Sequence, residues 1–407
     1  MHSELFDRPV ERRGTDCLKY DFAAERGKPE GVLPLWVADM DFPAPPCVLD
    51  KLHGAVRHGI FGYSDTKPDY AGAVRGWFAS RYGWAPEDAW LVKTPGVVFA
   101  LAAAVRAFTE AGDGVLLQPP VYYPFFEVIR DNGRRVVENP LVLRDGRYEI
   151  DFEDFEAKAA QEHVKLFLLC SPHNPVGRVW TVDELRTMGE ICLRHDIIVV
   201  SDEIHCDLTL PGYVHHVLPE AVPELTDRAV VCTSPSKTFN LAGLQVSNIF
   251  IPSPALRTQF RKAVSRTGYA QLNALGIAAC KAAYRDGAAW QADCRQYLNG
   301  NLELIRGFLR SELPGLKLIE PEGTYFAWID CAALGLSDRE LEQFVTERAG
   351  LWLDSGYIFG SGGEGFQRLA YACQRATLER ALNQLRDAVA QAFPGLLRQA
   401  ALERSGH

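Results

Sequence analysis

A lysine in an unusual sequence position is the first candidate for chemistry. Lys237 lies in residues 233–239, between Ser236 and Thr238, just after the apolar run 229–232. An amine at the end of a buried strand loses solvation, so its pKa falls and it can form a Schiff base with an aldehyde. The alternative for any lysine is an ordinary charge on the surface.

Two more polar residues follow other apolar runs. Asn174 comes after residues 165–170, in a proline-stiffened turn, and could donate a hydrogen bond to a ligand oxygen. Asp202 follows residues 197–200, and a carboxylate there can hold a protonated ring nitrogen. Taken alone, Asn174 is better explained as a plain turn residue, and Asp202 as a helix cap or a surface carboxylate. His205 alone is more typical of a structural histidine, and no Cys/His spacing matches a zinc site.

A glycine turn adds a possible anion site. Gly96 precedes a helical run, so the backbone N–H groups of Val97 and Val98 could face an anion, although no Walker pattern is present. Asn174, Asp202 and Lys237 then follow at intervals of 28 and 35 residues. One ligand would engage all four features if it had a phosphate, a phenolic oxygen, a ring nitrogen and an aldehyde. Pyridoxal phosphate has these groups.

These residues need a scaffold that brings strand ends together. Short apolar runs alternate with helical stretches between residues 46 and 285, with strands expected at 115–117, 165–170, 197–200, 229–232 and 247–251. This pattern predicts an α/β domain with a mostly parallel sheet, in which ligands bind beyond the carboxyl ends of the strands.

The remaining segments suggest two further parts. Residues 286–407 mix long helices with separated strands, which predicts a smaller α+β domain, and residues 1–45 read as an irregular N-terminal arm. The three predicted units are therefore 1–45, 46–285 and 286–407.

Composition excludes several classes of protein. The chain has 407 residues, 47% of them apolar, and a net charge of −9, which argues against a nucleic-acid-binding role. No apolar run is long enough to span a membrane, and no export signal is visible at the N-terminus. Ten scattered cysteines read as reduced thiols, so a cytoplasmic enzyme is expected.

Seven motifs resemble a known family. The sequence is similar to fold-type I pyridoxal-phosphate enzymes of the class I/II aminotransferase superfamily, and most similar to its cystathionine β-lyase (carbon–sulfur lyase) branch. The resemblance covers residues 13–396. The motifs are LWVADMDF (35–42), FGY (61–63), TPGVV (94–98), PPVY (119–122), CSPHNPVG (170–177), DEIHCD (202–207) and SPSKTFNLAGLQ (234–245).

The resemblance implies a role for each matching residue. Lys237 would form the aldimine, Asp202 would hold the pyridinium nitrogen and Asn174 the phenolic oxygen. Arg375 would bind the substrate α-carboxylate, and Tyr63 would reach the phosphate of the partner subunit in a homodimer. The other residues implied at the cofactor or substrate are Gly96, Val97, Val98, Tyr122, His205, Ser234, Ser236 and, on the substrate side, Ala38.

The implied reaction is cleavage of L-cystathionine or another S-substituted cysteine to a thiol, pyruvate and ammonia. Many class I aminotransferases have an arginine eight residues after the lysine, and Gln245 stands there, which favours the lyase branch. Ala370, Tyr371 and Tyr20 also depart from the usual pattern of the branch and leave the exact substrate open. An aminotransferase is the alternative enzyme. A regulatory protein–protein role also stays open, whereas an NAD(P) enzyme lacks its G-x-G-x-x-G motif.

Overall fold

A seven-stranded sheet forms the centre of the protein, in a computed structural model that describes residues 3–396. Its strand order is β2-β10-β9-β8-β7-β3-β4. The strands of the described chain are β1 (Leu33–Pro34), β2 (Leu91–Thr94), β3 (Gly114–Leu117), β4 (Arg135–Glu138), β5 (Val142–Arg144), β6 (Arg147–Glu149), β7 (Val164–Cys170), β8 (Ile198–Asp202), β9 (Ala229–Thr233), β10 (Ser247–Phe250), β11 (Lys317–Ile319), β12 (Phe326–Asp330), β13 (Leu351–Trp352), β14 (Asp354–Ser355) and β15 (Phe366–Ala370).

Helices cover this sheet and build the rest of the molecule. Over residues 3–396 they are α1 (Ser3–Asp7), α2 (Leu18–Asp21), α3 (Pro46–His58), α4 (Pro68–Tyr82), α5 (Val97–Phe108), α6 (Pro124–Arg130), α7 (Phe152–Ala159), α8 (Val182–Arg194), α9 (Leu218–Ala221), α10 (Pro235–Thr238), α11 (Pro254–Ser265), α12 (Ala274–Asp286), α13 (Ala288–Glu312), α14 (Asp338–Gln343) and α15 (Arg375–Ala392). Short 3-10 turns lie at Asp88–Trp90, Cys206–Leu208, Pro223–Arg228, Ala242–Leu244, Ala332–Leu334 and Gly356–Phe359, and one π turn lies at Phe344–Arg348.

The central strands are buried on both faces, as their continuous apolar sequences require. In β7, Leu166 and Leu168 pack with α5 and α11 on one face, whereas Phe167 and Leu169 pack with α7 and α8 on the other. The α8 helix begins with a capping box between Thr181 and Glu184. The predicted α/β architecture with a mostly parallel sheet is confirmed.

One strand departs from the expected direction. β10 pairs antiparallel with both β9 and β2, while β3, β4, β7, β8 and β9 pair in parallel. A strand buried on both faces has the same apolar sequence in either direction, so this reversal was not visible in the sequence. The edge strands β2 and β4 were also not predicted, because each has partly exposed positions.

A second sheet lies in the C-terminal third. Its antiparallel order is β11-β12-β15-β14, and α13 and α15 share its apolar core. β1 of the predicted arm pairs in parallel with β13, which ties the N-terminal segment to this region. The seven-stranded sheet falls within residues 46–285 and the four-stranded sheet within 286–407, and the domain boundaries stay a prediction. Residues 1–2 and 397–407 of the predicted units lie outside the described residues.

Candidate active site

Most of the predicted site residues converge on one cavity of about 190 Å³. It lies at the carboxyl ends of β7, β8 and β9, beside the start of α5. This is the edge at which open α/β sheets bind ligands. The predicted residues that line it are Ala38, Gly96, Val97, Val98, Tyr122, Asn174, Asp202, His205, Ser234, Ser236 and Lys237.

The Lys237 amine is held inside this cavity by a backbone carbonyl. Lys237 lies on the single turn α10 directly after β9, and its Nζ donates a hydrogen bond to the Ala38 oxygen at 2.6 Å. Desolvation lowers the pKa of the amine to about 8, against the opposing effect of the Asp39 carboxylate. A substantial fraction of this amine is therefore neutral at mildly alkaline pH, as a base or nucleophile must be.

Asp202 is the last residue of β8, and its buried carboxylate has few hydrogen-bond donors around it. Its Oδ1 accepts one hydrogen bond, from the Ile204 N–H at 3.1 Å, and the side chain is 5% exposed. Burial raises its pKa to about 7, although the nearby Lys237 charge acts in the opposite direction. A carboxylate in this state would be stabilised by a cationic donor, such as a protonated ring nitrogen.

Asn174 is paired with an arginine that the sequence analysis did not select. Its Oδ1 accepts a hydrogen bond from Arg368 Nη1 at 2.9 Å, which leaves the amide N–H groups of Asn174 as the donors available to a ligand. Arg368 lies in β15 and is 2% exposed. Its Nη2 donates to the Trp36 carbonyl at 2.9 Å and to the Asp354 carboxylate, while its buried Nε has no partner within residues 3–396.

Arg375 lies outside this group of residues, and its role in carboxylate binding stays a prediction. It begins α15, where its Nε is 3.4 Å from Asn301 Oδ1 and its guanidinium stacks 5.2 Å from the Tyr297 ring centre. It does not line the cavity. Arg368 does not line the cavity either, but it donates a hydrogen bond to Asn174, which does, so we infer that carboxylate binding is better assigned to Arg368.

The start of α5 offers free backbone donors. Gly96 occupies the N-cap position without a side-chain hydrogen bond to the helix, so the first N–H groups, those of Val97 and Val98, are available to an anion. Ser234 Oγ lies 2.7 Å from the Val246 carbonyl, to which it must donate, and 2.8 Å from Ser236 Oγ. Since Ser234 has a single hydroxyl proton, Ser236 must donate to Ser234 Oγ, and the Ser236 hydroxyl would rotate to donate to a phosphate.

Two rings complete the cavity wall. The backbone N–H of Tyr122 donates to the Asn174 carbonyl at 3.0 Å, which fixes this aromatic residue beside the predicted phenolic-oxygen donor. His205 is buried, with its ring 5.8 Å from that of Tyr325. Desolvation lowers the pKa of His205 well below its usual value, so the ring is neutral and serves as packing or as a hydrogen-bonding surface.

Tyr63 lies outside the cavity of its own chain. It is fully exposed, and Ile60 and Phe61 beside it are 73% and 62% exposed.

Within residues 3–396, no helix has the length and apolar character needed to cross a bilayer. The same part of the chain contains no group of three His, Cys, Asp or Glu side chains arranged to hold a metal ion.

Two residues of the site carried only weak signals in the sequence. Arg368 interrupts an apolar strand, which is an unusual place for a cation unless it is paired. Tyr325, whose hydroxyl donates to the Ala38 carbonyl at 2.8 Å, directly precedes β12, and its sequence context does not distinguish it from a core aromatic residue.

Comparison with known proteins agrees with this geometry. Residues 30–385 match the family described as aminotransferase class I and II. Cystathionine beta-lyase PatB of Bacillus subtilis (strain 168) is 44% identical over 94% of this chain and 99% of its own, and protein MalY of Escherichia coli (strain K12) is 34% identical over 94% and 98%. The crystal structure of cystalysin from Treponema denticola, which contains pyridoxal 5'-phosphate, has a TM-score of 0.92 at 37% identity, covering 95% of this chain and 98% of that one. The chain therefore belongs to the class I and II aminotransferase family.

Proposed function

We propose that this protein is a pyridoxal-phosphate-dependent C–S β-lyase. It cleaves L-cystathionine or related S-substituted cysteines to a thiol, pyruvate and ammonia. The observation that carries the proposal is the convergence of Lys237, Asp202 and Asn174 on one cavity in a chain 44% identical to a protein named cystathionine beta-lyase.

The cavity fits the cofactor at its three polar ends. The uncapped start of α5 and the Ser236 hydroxyl match a phosphate. Asp202, buried with a single backbone donor, matches a ring-nitrogen cation, and the free amide N–H groups of Asn174 match a phenolic oxygen. Lys237 supplies the amine that the aldehyde requires.

Three residues of the chain have different roles around the substrate. When bound, pyridoxal phosphate supplies an electron sink for the negative charge left by removal of the α-proton. Asp202 would keep the ring nitrogen protonated, and Arg368 would bind the substrate α-carboxylate through its Nε–H, which has no partner in the described chain. The Lys237 amine takes the α-proton, since its lowered pKa of about 8 leaves much of it neutral.

A product assay tests this function directly. The purified protein, supplied with pyridoxal phosphate and L-cystathionine but no 2-oxo acid, is expected to release pyruvate and thiol in equal amounts. Lys237→Ala is expected to abolish both products and the borohydride-reducible link between cofactor and protein. Pyruvate formation by Lys237→Ala at the wild-type rate would disprove the mechanism.

An aminotransferase is the second candidate, since it uses the same first-step residues. The observation in its favour is the family itself, which the match to residues 30–385 defines. Gln245, at the position where an arginine is typical of aminotransferases, argues for the lyase. Keto-acid formation that strictly requires an added 2-oxo acid would favour the aminotransferase.

We also propose that the protein is a homodimer that acts in the cytoplasm. Ile60, Phe61 and Tyr63 form an exposed apolar segment that a second copy would cover, and Tyr63 would then reach the partner's phosphate site. Light scattering should give twice the 45.3 kDa chain mass, and Phe61→Asp should shift the measured mass toward that of the monomer.

The proposal of a cytoplasmic location is supported by the cysteines. All ten are free thiols, as expected in a reducing compartment.

A further inference from the structure

The Ala38 carbonyl accepts hydrogen bonds from two side chains at once. Lys237 Nζ lies 2.6 Å from this oxygen and the Tyr325 hydroxyl lies 2.8 Å from it. A carbonyl oxygen has two lone pairs, so the two donors together saturate it. Ala38 lies between β1 and α3 in a segment that is neither helix nor strand, so no sheet or helix hydrogen bond fixes this carbonyl.

Tyr325 is the rigid member of this group. Its side chain is fully buried, and its ring lies 5.0 Å from Phe326 and 5.8 Å from His205. A ring held on several sides places its hydroxyl at one position. The Lys237 side chain, by contrast, has four rotatable bonds and must swing during the reaction.

The charges around Lys237 explain why its amine needs the Ala38 carbonyl as a hydrogen-bond acceptor. Desolvation disfavours the Lys237 cation most strongly. Asp39 and Asp202 favour the cation, Arg368 opposes it, and the neighbouring His205 is neutral. Neither carboxylate is in hydrogen-bond contact with Nζ in the described chain, so the Ala38 carbonyl is the group that directly solvates it.

We propose that Tyr325 is a positioning residue for Lys237: its hydroxyl fixes the Ala38 carbonyl, and this carbonyl holds the Lys237 amine whenever the amine is free. The catalytic consequence rests on the proposed function, whereas the geometric part does not. An amine held at one place transfers a proton to and from the substrate more effectively than one that samples many positions.

The first experiment measures Lys237 itself in the cofactor-free, full-length protein. The rate of Lys237 acetylation is followed from pH 6 to 10 by mass spectrometry of the peptide that contains it. Tyr325→Phe is expected to lower the titration midpoint by about half a pH unit or more, because a desolvated ammonium loses its fixed acceptor. With cofactor bound, kcat should fall about tenfold while KM stays within about twofold.

Tyr371→Phe is the matched control. Tyr371 is equally buried, and its hydroxyl donates to the carbonyl of Thr324, next to Tyr325 in the chain, at 3.3 Å. This variant also deletes one buried hydroxyl bound to a backbone carbonyl, yet it should leave both the midpoint and kcat unchanged.

A rescue separates positioning from folding. Incorporation of 4-aminophenylalanine at position 325 restores an N–H donor on the same ring and should return the midpoint toward wild type. An unchanged or raised midpoint in Tyr325→Phe, the same shift in Tyr371→Phe, or no rescue would each overturn the proposal. The acetylation assay needs no substrate, so its outcome stays distinct from a failure to produce pyruvate from L-cystathionine.

Discussion

Two buried carboxylates five residues apart have opposite surroundings. Asp202 and Asp207 are each 5% exposed, but Asp202 accepts one backbone N–H, whereas the Asp207 carboxylate accepts from the side chains of Trp77, Tyr82 and Thr238 at 2.6 to 3.1 Å. The protein satisfies Asp207 with its own donors and leaves Asp202 with a single one, as the proposed contact with a ring nitrogen requires. Burial alone therefore does not identify the functional carboxylate; the number of donors does.

Glu203, between them in sequence, belongs with Asp207. Its carboxylate is fully buried and accepts from the Ser201 hydroxyl and the Leu218 N–H, and it contacts His215 Nε2 at 2.8 Å. Both satisfied carboxylates join elements: Asp207 ties α4 to α10, the turn that carries Lys237. The segment 202–207 thus holds two carboxylates that the protein satisfies and one, Asp202, that it leaves for the proposed ligand contact.

The largest expected effect comes from replacing each of the two aspartates with asparagine, one at a time. Asp202→Asn should lower kcat/KM by about 10³, since the ring-nitrogen partner loses its charge, while leaving the free energy of unfolding equal or higher. Asp207→Asn should do the reverse, costing about 1–3 kcal/mol of stability and less than about tenfold in activity of the folded protein. Steady-state rates and urea denaturation of both variants check this pair. Similar losses of activity in the two variants would contradict the distinction between Asp202 and Asp207.

A second comparison concerns the two arginines. Arg368→Lys should lower kcat/KM for L-cystathionine by about 10², mainly through KM, because an ammonium cannot reproduce the guanidinium's contacts with Asn174 and the substrate carboxylate. Arg375→Lys should stay within about threefold of wild type. If the Arg375 variant shows the larger defect, the reassignment of carboxylate binding to Arg368 is wrong.

The two arginines also show what could not be predicted from the sequence. The apolar runs located β7, β8 and β9 within a few residues, and the polar groups that follow them did meet in one cavity. Arg368 was missed because its ion-pair partner, Asp354, is on another strand, and no local pattern announces a cross-strand pair.

Long-range hydrogen bonds were hidden for the same reason. The Tyr325 hydroxyl finds its acceptor 287 residues away in sequence, at Ala38. The direction of β10 was equally invisible, because burial on both faces gives the same pattern in a parallel and an antiparallel strand. Local periodicity therefore predicted the scaffold and the strand-end residues, but not which distant partners complete their hydrogen bonds.

The last prediction concerns how the free energy of unfolding depends on pH in the absence of cofactor. The pKa of Asp202 is raised to about 7 in the folded protein and lies near 3.8 in the unfolded chain, so between these values the folded state binds more protons. Stability contributed by this group is therefore present at low pH and lost as pH rises toward 7, with a slope of at most about 1.4 kcal/mol per pH unit. Urea denaturation from pH 4.5 to 7.5 should show that wild type loses stability relative to Asp202→Asn over this range. Parallel curves for the two proteins would mean that Asp202 finds enough donors in the folded chain, and the contrast with Asp207 would then disappear.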